Sequence, residues 1–191
     1  MHRLRSLHHL VSRGHRHHRG GTSAGGGEGM NRITPTMLAE QSFFHGMEEA
    51  HLQSIADCSR LEQYDAGSLL LHQGEEADAA HLLLEGSVAL ELTVPGREPL
   101  VVETLAAGEL VGASWLLPPA RVHFDVRARN DVISLRIATD CLRRAMEQDS
   151  SLGYVFCRRF MAVVVRRLQA TRLRLMDLYG HPGLFLPEER R

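Results

Sequence analysis

Polar and apolar positions change period twice along this chain. Between Pro35 and Ala56 they recur at helical spacing: Thr34-Pro35 reads as an N-cap with proline at the first helical position, and Met47, Ala50, Leu52 and Ile55 fall on one face. From Tyr64 to Ile137 the period is two. Short runs at Ser68–His72, Ala80–Glu85 and Leu100–Leu105 are bounded by glycines or acidic turns. Ser87–Val94 alternates, with Val88, Leu90, Leu92 and Val94 opposed to Ala89, Glu91 and Thr93. Val122, Phe124, Val126 and Ala128 alternate with His123, Asp125, Arg127 and Arg129, and Ile133, Leu135 and Ile137 close the set. About eight short strands separated by regular turns predict a jelly roll, mainly β with flanking helices.

After Ile137 the helical period returns. Thr139 is placed to cap a short helix through Glu147, and Ser150 or Ser151 a longer one reaching Tyr179, where Gly180 and Pro182 stop it. Along the longer helix Tyr154, Cys157, Met161, Val164, Leu168, Thr171, Leu175 and Leu178 follow steps of three and four, a heptad seam. A second edge of Leu152, Phe156, Phe160 and Val163 should pack on the roll. The seam predicts a parallel homodimer. The units expected are a His/Arg/Gly-rich tail without a fold over 1–29, helices and roll over 30–138, helices including the dimer helix over 139–180, and a flexible tail over 181–191.

Charge and cysteines narrow the function. Every one of the 22 basic residues is arginine. Five lie in residues 1–29, leaving 17 against 22 acids in the rest, an acidic body unlike a general nucleic-acid surface. The three cysteines, Cys58, Cys141 and Cys157, lack metal or redox spacing; they read as core or helix-face residues of a cytoplasmic protein. No apolar run reaches the ~20 residues of a membrane span. There is no arrangement for nucleophilic or acid–base catalysis and no metal-ligand spacing, so the expected protein is not an enzyme. His72, His81 and His123 fall on strands as ordinary histidines.

The segment YDAGSLLLHQGEEADAAHLLLEGSVALEL, the glycines at 67, 74, 86 and 108, and the long last helix resemble the cyclic nucleotide-binding domain of Crp/Fnr-type regulators. The resemblance covers Phe43 to Tyr179. It implies a double-stranded β-helix with a C-terminal dimerisation helix, and a ligand loop within Gly108–Arg129. In that family a glycine-glutamate pair and a later arginine hold the ribose and the cyclic phosphate. The candidate ligand residues are therefore Gly112, Ala113, Ser114, Trp115, Arg121 and Val122. Ala113 stands where the ribose-binding acid is expected, and its methyl cannot accept a hydrogen bond. Glu109 matches a structural acid of the family. Aligned on Val126-Arg127-Ala128, Arg121 lies one residue early and Val122 takes its slot, which reverses facing in a strand. Trp115 fits the core or a plugged pocket better than stacking on a base.

Only HPGLFLPEERR follows Gly180, too little for a recognition helix, so direct DNA binding is not expected. These residues imply a regulatory or sensor protein whose ligand is a small anion if not a cyclic nucleotide. The alternatives are a docking module for a partner enzyme or complex, and a transcriptional regulator acting through a partner.

Overall fold

The computed structural model describes residues 32–178. Helix α1 (Pro35–Ala39) starts as expected, with Thr34 Oγ1 accepting from Met37 N at 3.3 Å. Helix α2 (Glu49–Asp57) buries Leu52, Ile55 and Ala56. Eight strands follow: β1 (Ser59–Tyr64), β2 (Leu69–Leu71), β3 (Ala79–Glu85), β4 (Ser87–Leu92), β5 (Leu100–Ala106), β6 (Leu110–Val111), β7 (Asp125–Ala128) and β8 (Val132–Ala138). Helices α3 (Thr139–Gln148) and α4 (Ser150–Leu178) complete the described chain. The strands form two four-stranded antiparallel sheets, ordered β1-β8-β3-β6 and β2-β7-β4-β5. Their inner faces enclose the core, with Leu82, Leu83, Val88, Leu135 and Ile137 fully buried. This is the predicted jelly roll with its long C-terminal helix.

Gly86 shows why the β3–β4 turn is glycine. Its φ is +82°, and a Cβ would lie 2.3 Å from Asp131 O, so any side chain would have to displace backbone.

Several local expectations are corrected. Strand β1 is absent from the sequence reading because SRLEQY has little alternation; pairing with β8 over its whole length recruits it. The strand expected from Val122 begins only at Asp125. Upstream of it Val122 N donates to Glu75 O and Gly74 N to Val122 O, which ties that stretch to the β2–β3 loop instead of a sheet. Thr139 does not cap α3: Ala138 is the N-cap, and Thr139 Oγ1 donates to Ala77 O at 2.9 Å. Nor does either serine cap α4, because Asp149 Oδ1 accepts from Ser151 N and Leu152 N at 2.9 and 3.2 Å.

The cysteines also differ. Cys58 and Cys141 form a disulfide joining the C-terminus of α2 to α3, and Cys157 is free and exposed. Sequence spacing could not reveal a pair 83 residues apart that the packing of α2 beside α3 brings together. The disulfide removes the argument that cysteine usage made for a reducing compartment. The tails expected over 1–29 and 181–191, and the helix stop at Tyr179-Gly180, lie outside the described residues.

Candidate functional site

The candidate loop is fixed at both ends by backbone. Strand β6 pairs with β3, Val111 opposite His81 and Leu110 opposite Leu82, which sets Gly112 against the sheet. Gly112 has φ +82°, and a Cβ there would meet Ala79 O at 2.9 Å and Leu71 Cδ1 at 3.1 Å. The glycine is therefore required by both conformation and close approach. A 3₁₀ turn follows over Ser114–Leu116, then a cis Pro118-Pro119 bond and Ala120 at φ +51°. Ala77 N donates to Ala120 O at 2.8 Å, and Arg121 bridges Glu76, so the loop returns along the β2–β3 connection.

Trp115 is 2% exposed, its ring 6.0 Å from that of Phe156 on α4. Its carbonyl accepts from Arg143 Nη2 at 3.2 Å. The indole thus joins the loop to the helical layer beneath it and does not line the cavity above, in keeping with a core role.

That cavity has a volume of about 290 Å³. Its walls are Leu71, Leu90, Val111, Val122, Phe124 and Val126, its rim Gly112, Ala113, Ser114 and His123, and its far side Glu103 and Arg167. Four of the six candidate ligand residues therefore meet here: Gly112, Ala113, Ser114 and Val122. Trp115 is below it. Arg121 is outside, with Nη1 donating to Gly74 O at 3.0 Å. Ser114 Oγ and His123 Nδ1 share a hydrogen bond of 2.9 Å. Sequence reasoning missed three of the four polar residues of the lining. His123 carried a signal in its strand alternation; Glu103 and Arg167 come from β5 and α4, and nothing local in the sequence pairs those elements with the loop.

No guanidinium of the roll enters the cavity. Its single arginine, Arg167, is borrowed from α4 and donates to Leu110 O. Burial draws the Arg167 guanidinium below the usual arginine range, while Glu103 and Glu109 oppose that shift. Glu109, expected to be structural, accepts from Ala106 N at 2.8 Å and closes its own turn. Arg127 is structural too, bound to Glu91 at 2.9 Å and to Gly67 O at 2.9 Å.

Three further titratable groups brace the site. Asp125 is buried, which would raise its pKa, but it accepts from Gln73 N, Thr93 Oγ1 and His72 Nδ1 at 2.7, 2.6 and 2.5 Å and is held down at about 2. The same hydrogen bond and charge raise the pKa of His72. His81, opposite Val111, is fully buried; Nδ1 meets Ser134 Oγ at 3.1 Å and Nε2 has no partner. Burial pushes it down to about 4.

Helix α4 presents two unlike faces. Leu152, Phe156 and Phe160 are buried, as their apolar edge predicted. Of the heptad seam, Tyr154, Met161, Val164, Leu168 and Leu175 are exposed to 66, 58, 39, 49 and 46%, and Thr171 is exposed as well. At about 100° per residue this seam is centred roughly a quarter turn from the face that carries Arg159, Val163, Arg167 and Arg174 against the roll. Leu178 ends the helix, and its side chain lies outside the described set.

This combination of two antiparallel sheets, a glycine-anchored loop over an internal cavity and a long trailing helix defines a jelly-roll ligand-binding architecture. Residues 61–149 match the cyclic nucleotide-binding domain family. The chain is 31% identical over 94 residues to human cGMP-dependent protein kinase 2, a match spanning 49% of this chain and 12% of the kinase. Among solved structures, a protein of the cyclic nucleotide-binding type from Geobacter metallireducens GS-15 superposes with a TM-score of 0.65 at 29% identity, covering 71% of this chain and 98% of that one. The Thermus thermophilus catabolite activator protein shares the fold, with a TM-score of 0.57 at 23% identity over 72% of this chain and 62% of its own. Residues 61–149 thus carry a domain of the cyclic nucleotide-binding type, and its fold is shared with these solved structures. The match falls on a cyclic nucleotide-binding domain and spans about an eighth of the kinase. Among the described residues no cluster of His, Cys, Asp or Glu is placed to hold a metal ion, and no helix is long and apolar enough to cross a membrane.

Proposed function

We propose that this domain is a regulatory module that keeps the binding scaffold of its family but has given up the usual grip on cyclic AMP and cyclic GMP. One observation carries the reading: Arg121 is turned out onto Gly74 O, while Ala113 and Val122 occupy the cavity side. A ribose hydroxyl facing Ala113 loses a charge-assisted acceptor, worth about 1.5–3 kcal/mol, and a cyclic phosphate facing Val122 loses its arginine. Together these deficits amount to several hundredfold or more in affinity. What remains is a largely apolar cavity with Ser114, His123, Glu103 and Arg167 as its polar contacts, suited to a small ligand of different chemistry. Arg167 belongs to α4, so a ligand reaching it would touch the output helix directly.

The output itself we assign to α4 acting in a parallel homodimer. A row of five apolar seam residues each exposed by a third or more is costly on a free helix and is removed from water by a second copy. The same seam supports a second reading, a docking surface for a protein partner, through which control of an enzyme, or of transcription, would pass. Calorimetric titration with cyclic AMP and cyclic GMP tests the first claim. No saturable heat up to millimolar nucleotide is expected; stoichiometric binding at micromolar concentration overturns it. Light scattering separates the two readings of α4: a concentration-dependent dimer supports the homodimer, and a monomer at all concentrations supports the partner surface.

A further inference from the structure

A second and larger cavity, of about 530 Å³, lies between α4 and the roll, away from the rim of the ligand loop. Four arginines of α4 line it, Arg159, Arg166, Arg167 and Arg174, against two carboxylates, Glu103 and Glu109. In a chain whose formal net charge is −1, this cleft is an island of positive charge. Ala162 and Ala170, interleaved with the arginines on the same helical face, leave the space open.

The arginines divide into two pairs. Arg159 is pinned by its terminal nitrogens, which donate to Phe43 O and His45 O at 3.0 and 2.8 Å, and Arg167 by its bond to Leu110 O. These bonds tie α4 to the α1–α2 segment through Arg159 and to the roll through Arg167. Both residues nevertheless keep a buried Nε with no acceptor. A desolvated charged donor without a partner is unfavourable, and two in one cleft exceed what helix docking requires. The other pair is loosely held. Arg174 reaches Glu103 only at 3.9 Å with its side chain 57% exposed, and Arg166 has no hydrogen bond or ion pair among the described residues.

We propose that this cleft is a binding site for a small multivalent oxyanion, a polyphosphate or a polycarboxylate, held chiefly by Arg166 and Arg174. The planar guanidinium fork matches the paired oxygens of either class, and four such groups against two carboxylates leave an excess of two positive charges for a ligand to neutralise. The bound anion competes with Glu103 for Arg174. Because Glu103 and Arg167 also line the smaller cavity, occupancy of the cleft alters the polar end of the ligand pocket and the seating of α4 together. At about 100° per residue Arg166 lies nearly opposite the centre of the heptad seam, whereas Arg167 and Arg174 flank it about a quarter turn away.

The test is calorimetric titration of the intact protein, in low-salt chloride buffer, with pyrophosphate in one arm and citrate in the other. One arm or both should show saturable one-to-one binding, and the responding arm identifies the class. Arg166→Gln/Arg174→Gln removes neither pinned arginine, so its circular dichroism should match the parent while affinity falls tenfold or more. Glu103→Gln should strengthen binding severalfold. The assignment is overturned if neither anion binds saturably, or if the double variant binds as the parent does. Either result is independent of the cyclic nucleotide titration, which reads the other cavity.

Discussion

Strand β3 and the loop from Gly112 to Phe124 rest on the same core but are constrained in different ways. In β3 the residues from Ala79 to Leu83 are all buried, and each is fixed by its neighbours in two layers. In the loop only some positions answer to packing: Gly112 by its close approach to Ala79 O, and Trp115 by its contact with α4. Ala113, Ser114 and His123 face the cavity and are free of that constraint. A binding domain can therefore keep the shape of its site while exchanging the side chains that touch ligand, because different residues serve the two purposes.

Substitution should expose that division most sharply at Trp115. Trp115→Ala removes a buried indole and is expected to cost about 3–5 kcal/mol in urea unfolding, whereas Ser114→Ala at the cavity rim should cost under about 1 kcal/mol. Equal losses would show that the rim is as tightly constrained as the anchor. Next in size is the Cys58–Cys141 disulfide, which closes a loop spanning 83 residues of sequence separation. Reduction should lower stability by about 2–4 kcal/mol, read by urea unfolding with and without reductant, while leaving the loop anchored.

Acid should weaken the roll through His81. Unfolded, this histidine binds a proton near its ordinary value of 6.5; folded, it does so only at about 4, so the unfolded state holds more protons between these values. Stability should fall by up to about 3 kcal/mol as pH drops through that window, and His81→Asn should flatten the slope. Asp125 acts lower, losing its stabilising contribution only as pH falls from its ordinary value of 3.8 towards about 2. His72 has the opposite sign. With its folded pKa raised, its contribution is complete below 6.5 and lost as pH rises through the raised value. The smallest effect on the folded protomer is expected at the seam. Leu168→Arg should change protomer stability by less than about 0.5 kcal/mol yet shift the light-scattering mass from dimer to monomer.

Much of this architecture is written in local pattern. The alternation of β4, the apolar runs of β2, β3 and β5, and the two edges of α4 carry their own signals, as does the family's glycine framework. What escaped the sequence depends on contacts between distant segments. SRLEQY becomes a strand because β8 lies beside it, and Cys58 meets Cys141 because α2 packs on α3. The site divides in the same way. The apolar environment of Trp115 and the register of Arg121 were legible from neighbours in the chain. Arg167 was not, since no local rule places a residue of the last helix at the far side of a loop that precedes it by about fifty positions.

The central claim is that this pocket retains its scaffold and lacks two ligand-gripping side chains. The most direct measurement is a paired calorimetric titration of cyclic AMP into the parent protein and into Ala113→Glu/Val122→Arg, with circular dichroism confirming that both are folded. The account predicts no saturable binding by the parent and measurable one-to-one binding by the variant. Tight binding by the parent, or a folded variant that remains silent, would contradict it.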